Sequence, residues 1–126
     1  AVRFHRAQLL RLEGATDDAR DLLVENVRWY AESGGGDHER ASRIELASVL
    51  GDADALDALL VEAREAADTE STIAVLDGLA RTAAEAGDLE TAASRLTEAD
   101  DEMARAAYLI DHTERFDAVA ARAVLA

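Results

Sequence analysis

The chain of 126 residues is 49% apolar, contains no cysteine or proline, and carries a formal net charge of −14. The absence of cysteine excludes disulfides and thiolate chemistry, and no apolar run approaches the roughly 18–20 residues that a bilayer crossing requires. Alanine, leucine, glutamate and arginine, which favour helices, are abundant. We therefore expect an all-α protein with a single domain over residues 1–126, either complete or a fragment of a longer chain.

The charge is unusual because all 13 basic residues are arginine and lysine is absent. An acidic, lysine-free surface over a core of small residues resembles proteins of salt-accumulating microorganisms, where concentrated salt screens the repulsion between carboxylates. A basic partner is the other explanation for the acidity. No signal peptide is visible, so the expected location is the cytoplasm.

The first half of the chain predicts four helices, since apolar side chains recur at helical spacing between glycine or polar residues. Gly14 ends the first helix, Thr16 or Asp17 can cap the second, and Asp37 can cap the third. The glycine-rich stretch 33–36 is expected to be a loop, because no strand precedes it and no Lys-Ser/Thr pair follows it, as a phosphate-binding loop requires. The first helix is expected at residues 2–13, the second from its cap to about Glu32, and the third from its cap through Leu50. The fourth is expected between the Gly51-Asp52 turn and about residue 67, with these apolar residues at helical spacing: Leu56, Leu59, Leu60 and Ala63.

The second half is organised around residues 76–99, where two amphipathic runs meet at Gly87 and Asp88. Gly87 can adopt the left-handed conformation that ends a helix, and the Asp88 carboxylate can cap the next helix. So short a link forces the two helices to pack antiparallel. Beyond them the pattern predicts a break near Asp101, a helix over 103–110, a break near Thr113 and a helix over 116–123.

Parts of the chain repeat at a step of 36 or 37 residues. The run LLVE at 22–25 recurs at 59–62, 37 residues later, and Gly14 recurs at the same step as Gly51. A further step of 36 leads from Gly51 to Gly87, whereas the last helix aligns with the sixth only at a step of 27. Leu60 and Leu96 lie at equivalent positions in two copies of this repeat, each on the second of two paired helices. We expect both side chains to be buried.

The helix pair at 76–99 resembles the hairpin of the tetratricopeptide repeat (TPR), in which leucine, alanine and bulky residues recur at set spacings. The matching residues are Leu79, Ala80, Ala83, Ala92, Leu96 and Ala99. The usual aromatic residues and closing proline are absent. The resemblance implies a short right-handed α-solenoid of about four antiparallel hairpins and about eight helices. The hairpins would span about 1–33, 37–67, 70–99 and 101–126, and a compact helical bundle without repeat geometry is the alternative.

In such a stack the first helices of the hairpins line a concave groove, and the resemblance implies that this groove holds a peptide or partner helix. The register places these candidate partner-binding residues there: Gln8, Arg11, His38, Glu45, Asp77, Arg81, Glu85, Tyr108, Asp111 and His112. Arg81 is the preferred candidate, because a partner's carboxylate can compete for its guanidinium with the carboxylates one turn away. The alternative is a solvated ladder of surface charges.

One large aromatic pair lies outside this groove. Tyr30 continues the apolar stripe of the second helix and is expected to seal the first hairpin against the second. Trp29 lies off that stripe and is a candidate exposed contact residue, of the kind enriched at binding hot spots.

Other kinds of site find no support in the sequence. The three histidines lack a second ligand at metal-binding spacing, and no serine or threonine lies in a nucleophile motif. We therefore expect no metal, no cofactor and no catalysis. The arginines are dispersed beside carboxylates and form no basic stripe, so direct binding of nucleic acid is not expected.

Two functions remain open. The first is a non-enzymatic scaffold that binds a protein or peptide in its concave groove. The second is a sensor or regulatory domain of a larger signalling protein or transcription regulator, since helical repeats with Gly-Asp turns also resemble such domains. Flanking nucleotide-binding or DNA-binding motifs in the full-length gene would favour the second.

The charge predicts that stability rises steeply with salt. From about 0.1 to 3 M KCl the Debye length falls from about 10 Å to below about 3 Å, which screens the repulsion between carboxylates. Calorimetry over this range should therefore show a rising thermal midpoint. A midpoint that does not change with salt would contradict the expected salt adaptation.

Overall fold

The computed structural model describes the backbone of residues 2–34, 37–106 and 115–126, and the side chains of 6–34, 39–106 and 115–126. These residues form seven α-helices and no strand, which confirms the all-α prediction. The helices are α1 (Val2–Leu12), α2 (Thr16–Glu32), α3 (Asp37–Leu50), α4 (Ala53–Glu65), α5 (Thr69–Glu85), α6 (Leu89–Ala106) and α7 (Phe116–Leu125).

The course of α6 corrects one prediction. We expected a break near Asp101, but α6 continues without interruption from Leu89 to Ala106. No glycine or proline lies in this stretch, and Met103 and Ala106 extend the apolar stripe at helical spacing, so continuing the helix is easier than opening a turn. The predicted seventh helix thus begins inside α6. Its remaining residues and the break near Thr113 lie outside the described residues, and a count of eight helices is not confirmed.

The turns that follow α3 and α5 share one backbone geometry. Gly51 and Gly87 have positive φ values of 64° and 84°, a conformation that glycine adopts without a steric penalty. The next residue, Asp52 or Asp88, donates its N–H to the carbonyl five residues earlier, which closes the helix end. The side chains of Asp52 and Asp88 then accept the N–H three residues ahead, at 3.1 and 3.2 Å. These turns confirm the predicted roles of Gly87 and Asp88.

The turn between α4 and α5 has the same geometry without a glycine. Ala67 has a φ of 53°, which costs a residue with a Cβ about 1–2 kcal/mol. Asp68 caps α5, because its carboxylate accepts the Ser71 N–H at 3.2 Å. The same carboxylate also accepts an Arg40 guanidinium N–H at 2.9 Å.

The start of α2 corrects a second prediction. Neither Thr16 nor Asp17 caps α2. The N-cap position is Ala15, and no side-chain cap is present there, because α2 already begins at Thr16.

Three of the four apolar clusters among the described residues follow one another along the chain. The first joins α1 and α2 with the end of α3, the second joins α3, α4, α5 and α6, and the third joins α5, α6 and α7. Leu60 in the second cluster and Leu96 in the third are each 5% exposed, which confirms their predicted burial. Leu60 lies among α3 and α5 residues, and Leu96 among α5 and α7 alanines.

Helix α5 is central, since it packs against α3, α4, α6 and α7. Within α5, Gly78 permits the close approach of α3. A Cβ at this position would lie 2.4 Å from Ser48 Oγ and 3.4 Å from Leu56 Cδ2. Most faces of α5 are therefore covered by other helices.

A polar contact joins two helices elsewhere in the core. Asn26 Nδ2 on α2 donates a buried hydrogen bond of 2.7 Å to Ser42 Oγ on α3.

We expect Leu60→Ala and Leu96→Ala each to lower the free energy of unfolding by about 2–5 kcal/mol, because each leaves a cavity in a packed cluster. The matched control is Val61→Ala on α4, where the side chain is 57% exposed and the expected change is within about 0.5 kcal/mol. Urea unfolding followed by circular dichroism measures all three. Equal effects at Leu60 and Val61 would contradict the assigned core.

Candidate functional site

Six charged side chains on α1, α3, α5 and at the start of α7 form two neighbouring sets of ion pairs, here together called the ionic cluster. Three are arginines and three are carboxylates, so their formal charges cancel. Arg11, Glu45, Arg81 and Asp117 form one set, and Arg115 and Asp77 form the other. Arg115 directly precedes α7, and the other five lie within helices.

Asp117 lies at the junction of three helices. Its Oδ1 atom accepts hydrogen bonds from Arg11 Nη2 at 2.6 Å and from Arg81 Nη1 at 3.0 Å. Arg11 also donates from Nη1 to Glu45, which adds α3 to the set. Arg11 lies in the last turn of α1 and Asp117 in the first turn of α7, so the dipole of each helix favours the charge placed at its end.

Arg115 attaches the start of α7 to α5 and α6. Its Nε and Nη2 atoms donate to the two oxygens of Asp77 at 2.9 and 2.8 Å, a bidentate pair of the strong, directional kind. Its Nη1 atom donates to Asp100 on α6 at 2.7 Å. Asp100 also accepts from Arg122 on α7 at 2.6 Å. The beginning of α7 is therefore positioned by charged hydrogen bonds to both neighbouring helices.

Burial and the neighbouring charges shift the pKa values of several groups in the ionic cluster. Burial raises the pKa of the Glu45 carboxyl above its usual value, and the opposing effect of Arg11 is only partial. Burial also raises the pKa of Asp77 against the effect of Arg115. Burial tends to lower the pKa of Arg11, but Asp117 and Glu45 outweigh it and raise that pKa. Arg11 thus remains charged, whereas burial disfavours the ionised forms of Glu45 and Asp77.

Four of the predicted groove residues meet in the ionic cluster: Arg11, Glu45, Asp77 and Arg81. Their side chains were expected on an open surface, but those of Arg11 and Asp77 are only 7% and 4% exposed. The physical reason is α7, whose Asp117 and preceding Arg115 bind the charged groups of these helices.

The other candidates are placed as follows. Arg81 Nε donates to the exposed Glu85 at 2.8 Å, so this part of the proposed charge ladder is present. Gln8 on α1 is half-buried. His38 belongs to α3, but its side chain lies outside the described part of the structure. Tyr108, Asp111 and His112 also lie outside the described residues.

Arg115 and Asp117 were not recognised from the sequence. A signal for Asp117 was present, because it follows Arg81 by 36 residues, which is also the step from Gly51 to Gly87. The last helix was aligned at a step of 27 instead, which matched it to the sixth helix.

Trp29 lies on α2, a helix that contributes no residue to the ionic cluster. Its side chain is 51% exposed, as expected for a residue off the apolar stripe. The ring packs edge-on against Tyr30, with 4.9 Å between ring centroids and an interplanar angle of 79°.

No protein-family model, curated protein or solved structure matches this chain. Across residues 2–34, 37–106 and 115–126, no helix is both long enough and apolar enough to span a membrane. In the same part of the chain, no group of three or more His, Cys, Asp or Glu side chains is arranged to hold a metal ion.

We expect Arg11→Ala to lower the free energy of unfolding by about 3–5 kcal/mol, because it leaves the buried Glu45 without its guanidinium partner. The matched control is Arg64→Ala, which removes the exposed pair between Arg64 and Glu98 and should cost at most about 1 kcal/mol. Urea unfolding at pH 7 compares the two. If both substitutions lower the free energy of unfolding equally, the Arg11 ion pairs contribute no more to stability than an exposed surface pair does.

Proposed function

We propose that this protein is a non-enzymatic interaction module in which stacked helical hairpins, arranged as a short TPR-like α-solenoid, hold a helix of a partner protein. The partner helix binds the surface formed by α1, α3 and α5 at the ionic cluster. The single observation that carries this proposal is that charged side chains from these three helices already bind a fourth helix, α7.

The contacts between helices support a stack of hairpins. Each helix packs against the next one along the chain from α1 to α7. In addition, α3 contacts α5 and α5 contacts α7, the pattern expected when the first helices of successive hairpins lie side by side. The buried leucines Leu23 and Leu60, 37 residues apart, occupy equivalent places on α2 and α4 and also fit this arrangement.

The chemistry of the surface favours a helix as its ligand. The backbone groups of a helix are satisfied internally, so recognition must come from side chains that project from one face. The charged groups that bind α7 or lie beside it are the guanidinium groups of Arg11 and Arg81 and the carboxylates of Asp77 and Glu45. A phosphate backbone would meet the arginines but would leave these two carboxylates facing like charge.

Site-specific photo-cross-linking in an extract of the native cells tests the proposal. A photoreactive amino acid replaces Glu85, which is 58% exposed and adjacent to Arg81. The control carries the same group at Val61 on α4, which is 57% exposed. We expect one partner protein to be cross-linked from position 85 and not from position 61, with the cross-linked peptide belonging to a helical segment.

Two charge reversals give the test its specificity. Arg81→Glu should abolish most of the cross-link, because the partner's carboxylate loses its guanidinium. Arg64→Glu, which makes the same charge change at an exposed site on α4, should leave the cross-link intact. If Arg81→Glu and Arg64→Glu give equal yields, this surface is not where the partner binds.

A further inference from the structure

Helix α7 is held mainly by charge and by small side chains. Its buried residues are Asp117, Ala118 and Ala121. Its two valines, Val119 and Val124, are 65% and 48% exposed. Its larger apolar residues Phe116 and Leu125 are only partly buried. By contrast, α5 has ten buried residues, including Ile73, Leu76 and Leu79. Removing α7 from its place would therefore expose less apolar surface than removing α5, because an alanine methyl contributes far less to burial than a leucine side chain.

The attachment of α7 depends on a small set of directional contacts. Asp117 binds the guanidinium groups of Arg11 and Arg81, and Arg115 binds the carboxylate of Asp77. Ala118 and Ala121 belong to the apolar cluster that contains Ala80, Ala84, Ala92 and Leu96 of α5 and α6. Another helix that presents the same groups at the same spacing could make the same contacts.

We propose that α7 is a displaceable occupant of the helix-binding surface, and that the partner helix carries the chemistry of α7. This inference rests on the proposed function. The partner helix has an arginine, a carboxylate two residues later, and small residues one and four positions after the carboxylate. While α7 is bound, it covers the surface and lowers the apparent affinity for the partner.

Each element of this pattern has a separate cause. A carboxylate is required because Arg11 and Arg81 converge on one oxygen of Asp117. An arginine is required because a partner lacking it would leave the buried carboxylate of Asp77 unpaired. Small residues are required because Ala118 and Ala121 are both 0% exposed, so a larger side chain would overlap α5. A purely acidic partner helix meets only the first requirement.

A peptide added to the full chain tests this inference without any cell extract. The probe is a fluorescein-labelled peptide with the sequence of residues 115–126, and the readout is fluorescence anisotropy. The full-chain variant R115A/D117A weakens the attachment of the protein's own α7, and Ala118→Arg displaces it by overpacking. If α7 occupies the surface at least nine-tenths of the time, both variants should bind the peptide at least about tenfold more tightly than wild type.

The controls separate release of α7 from general disturbance. Val119→Ala shortens a side chain of α7 that is 65% exposed and belongs to neither the ionic cluster nor the apolar cluster beneath α7, and this variant should bind the peptide as wild type does. A peptide carrying D117N should bind the released variants at least about tenfold more weakly, since its amide is uncharged.

Several results would overturn the inference. In one, both released variants remain folded by circular dichroism and bind the peptide no better than wild type. In another, both lose cooperative unfolding, which would make α7 part of the permanent core. A wild-type dimer in light scattering that D117N abolishes would make the α7 of a second copy the occupant instead of a partner helix. Because the peptide assay uses no cellular partner, a failed cross-linking experiment would contradict the proposed function without contradicting the displacement of α7.

Discussion

The carboxylate of Asp117 binds the guanidinium groups of Arg11 and Arg81, which are 106 and 36 residues away in the sequence. Burial of any one of these charges alone would cost several kcal/mol, so each depends on the presence of the others. The cluster contains equal numbers of both charges, and the net charge of −14 therefore arises entirely outside it. This mutual dependence also limits what can replace α7, because a ligand must supply both an anion and a cation at matching positions.

Helix ends could be predicted where a glycine and a following aspartate mark the turn in the sequence. Gly51 and Gly87 allow positive φ values, and the aspartate after each one caps the next helix, so these turns follow from local sequence. The similar turn at Ala67 could not be anticipated, because alanine gives no sign of a left-handed conformation. The predicted break near Asp101 was wrong, because Asp100 and Asp101 lie on the exposed face of a helix that continues to Ala106.

The proximity of Arg11, Glu45, Asp77 and Arg81 could be predicted from the register of the expected helical repeat, and the ion pairs with α7 and with one another place these side chains near each other. Their burial could not, since it depends on where α7 packs, and α7 carries only a weak apolar pattern. The informative signal was ionic: Asp117 follows Arg81 at the repeat step of 36 residues. A search for hydrophobic periodicity does not detect this relation, because Arg81 and Asp117 are both charged and carry opposite charges. The partner-binding role of this face stays a prediction.

The central claim is that α1 and α7 are coupled directly through the Arg11–Asp117 ion pair. A double-mutant cycle tests it, with urea unfolding measured for wild type, Arg11→Ala, Asp117→Ala and the double variant. The two side chains are in contact at 2.6 Å, so the interaction energy should be at least about 1 kcal/mol. If the effects of the two substitutions simply add, the two helices are not coupled and the ionic cluster does not hold α7 in place.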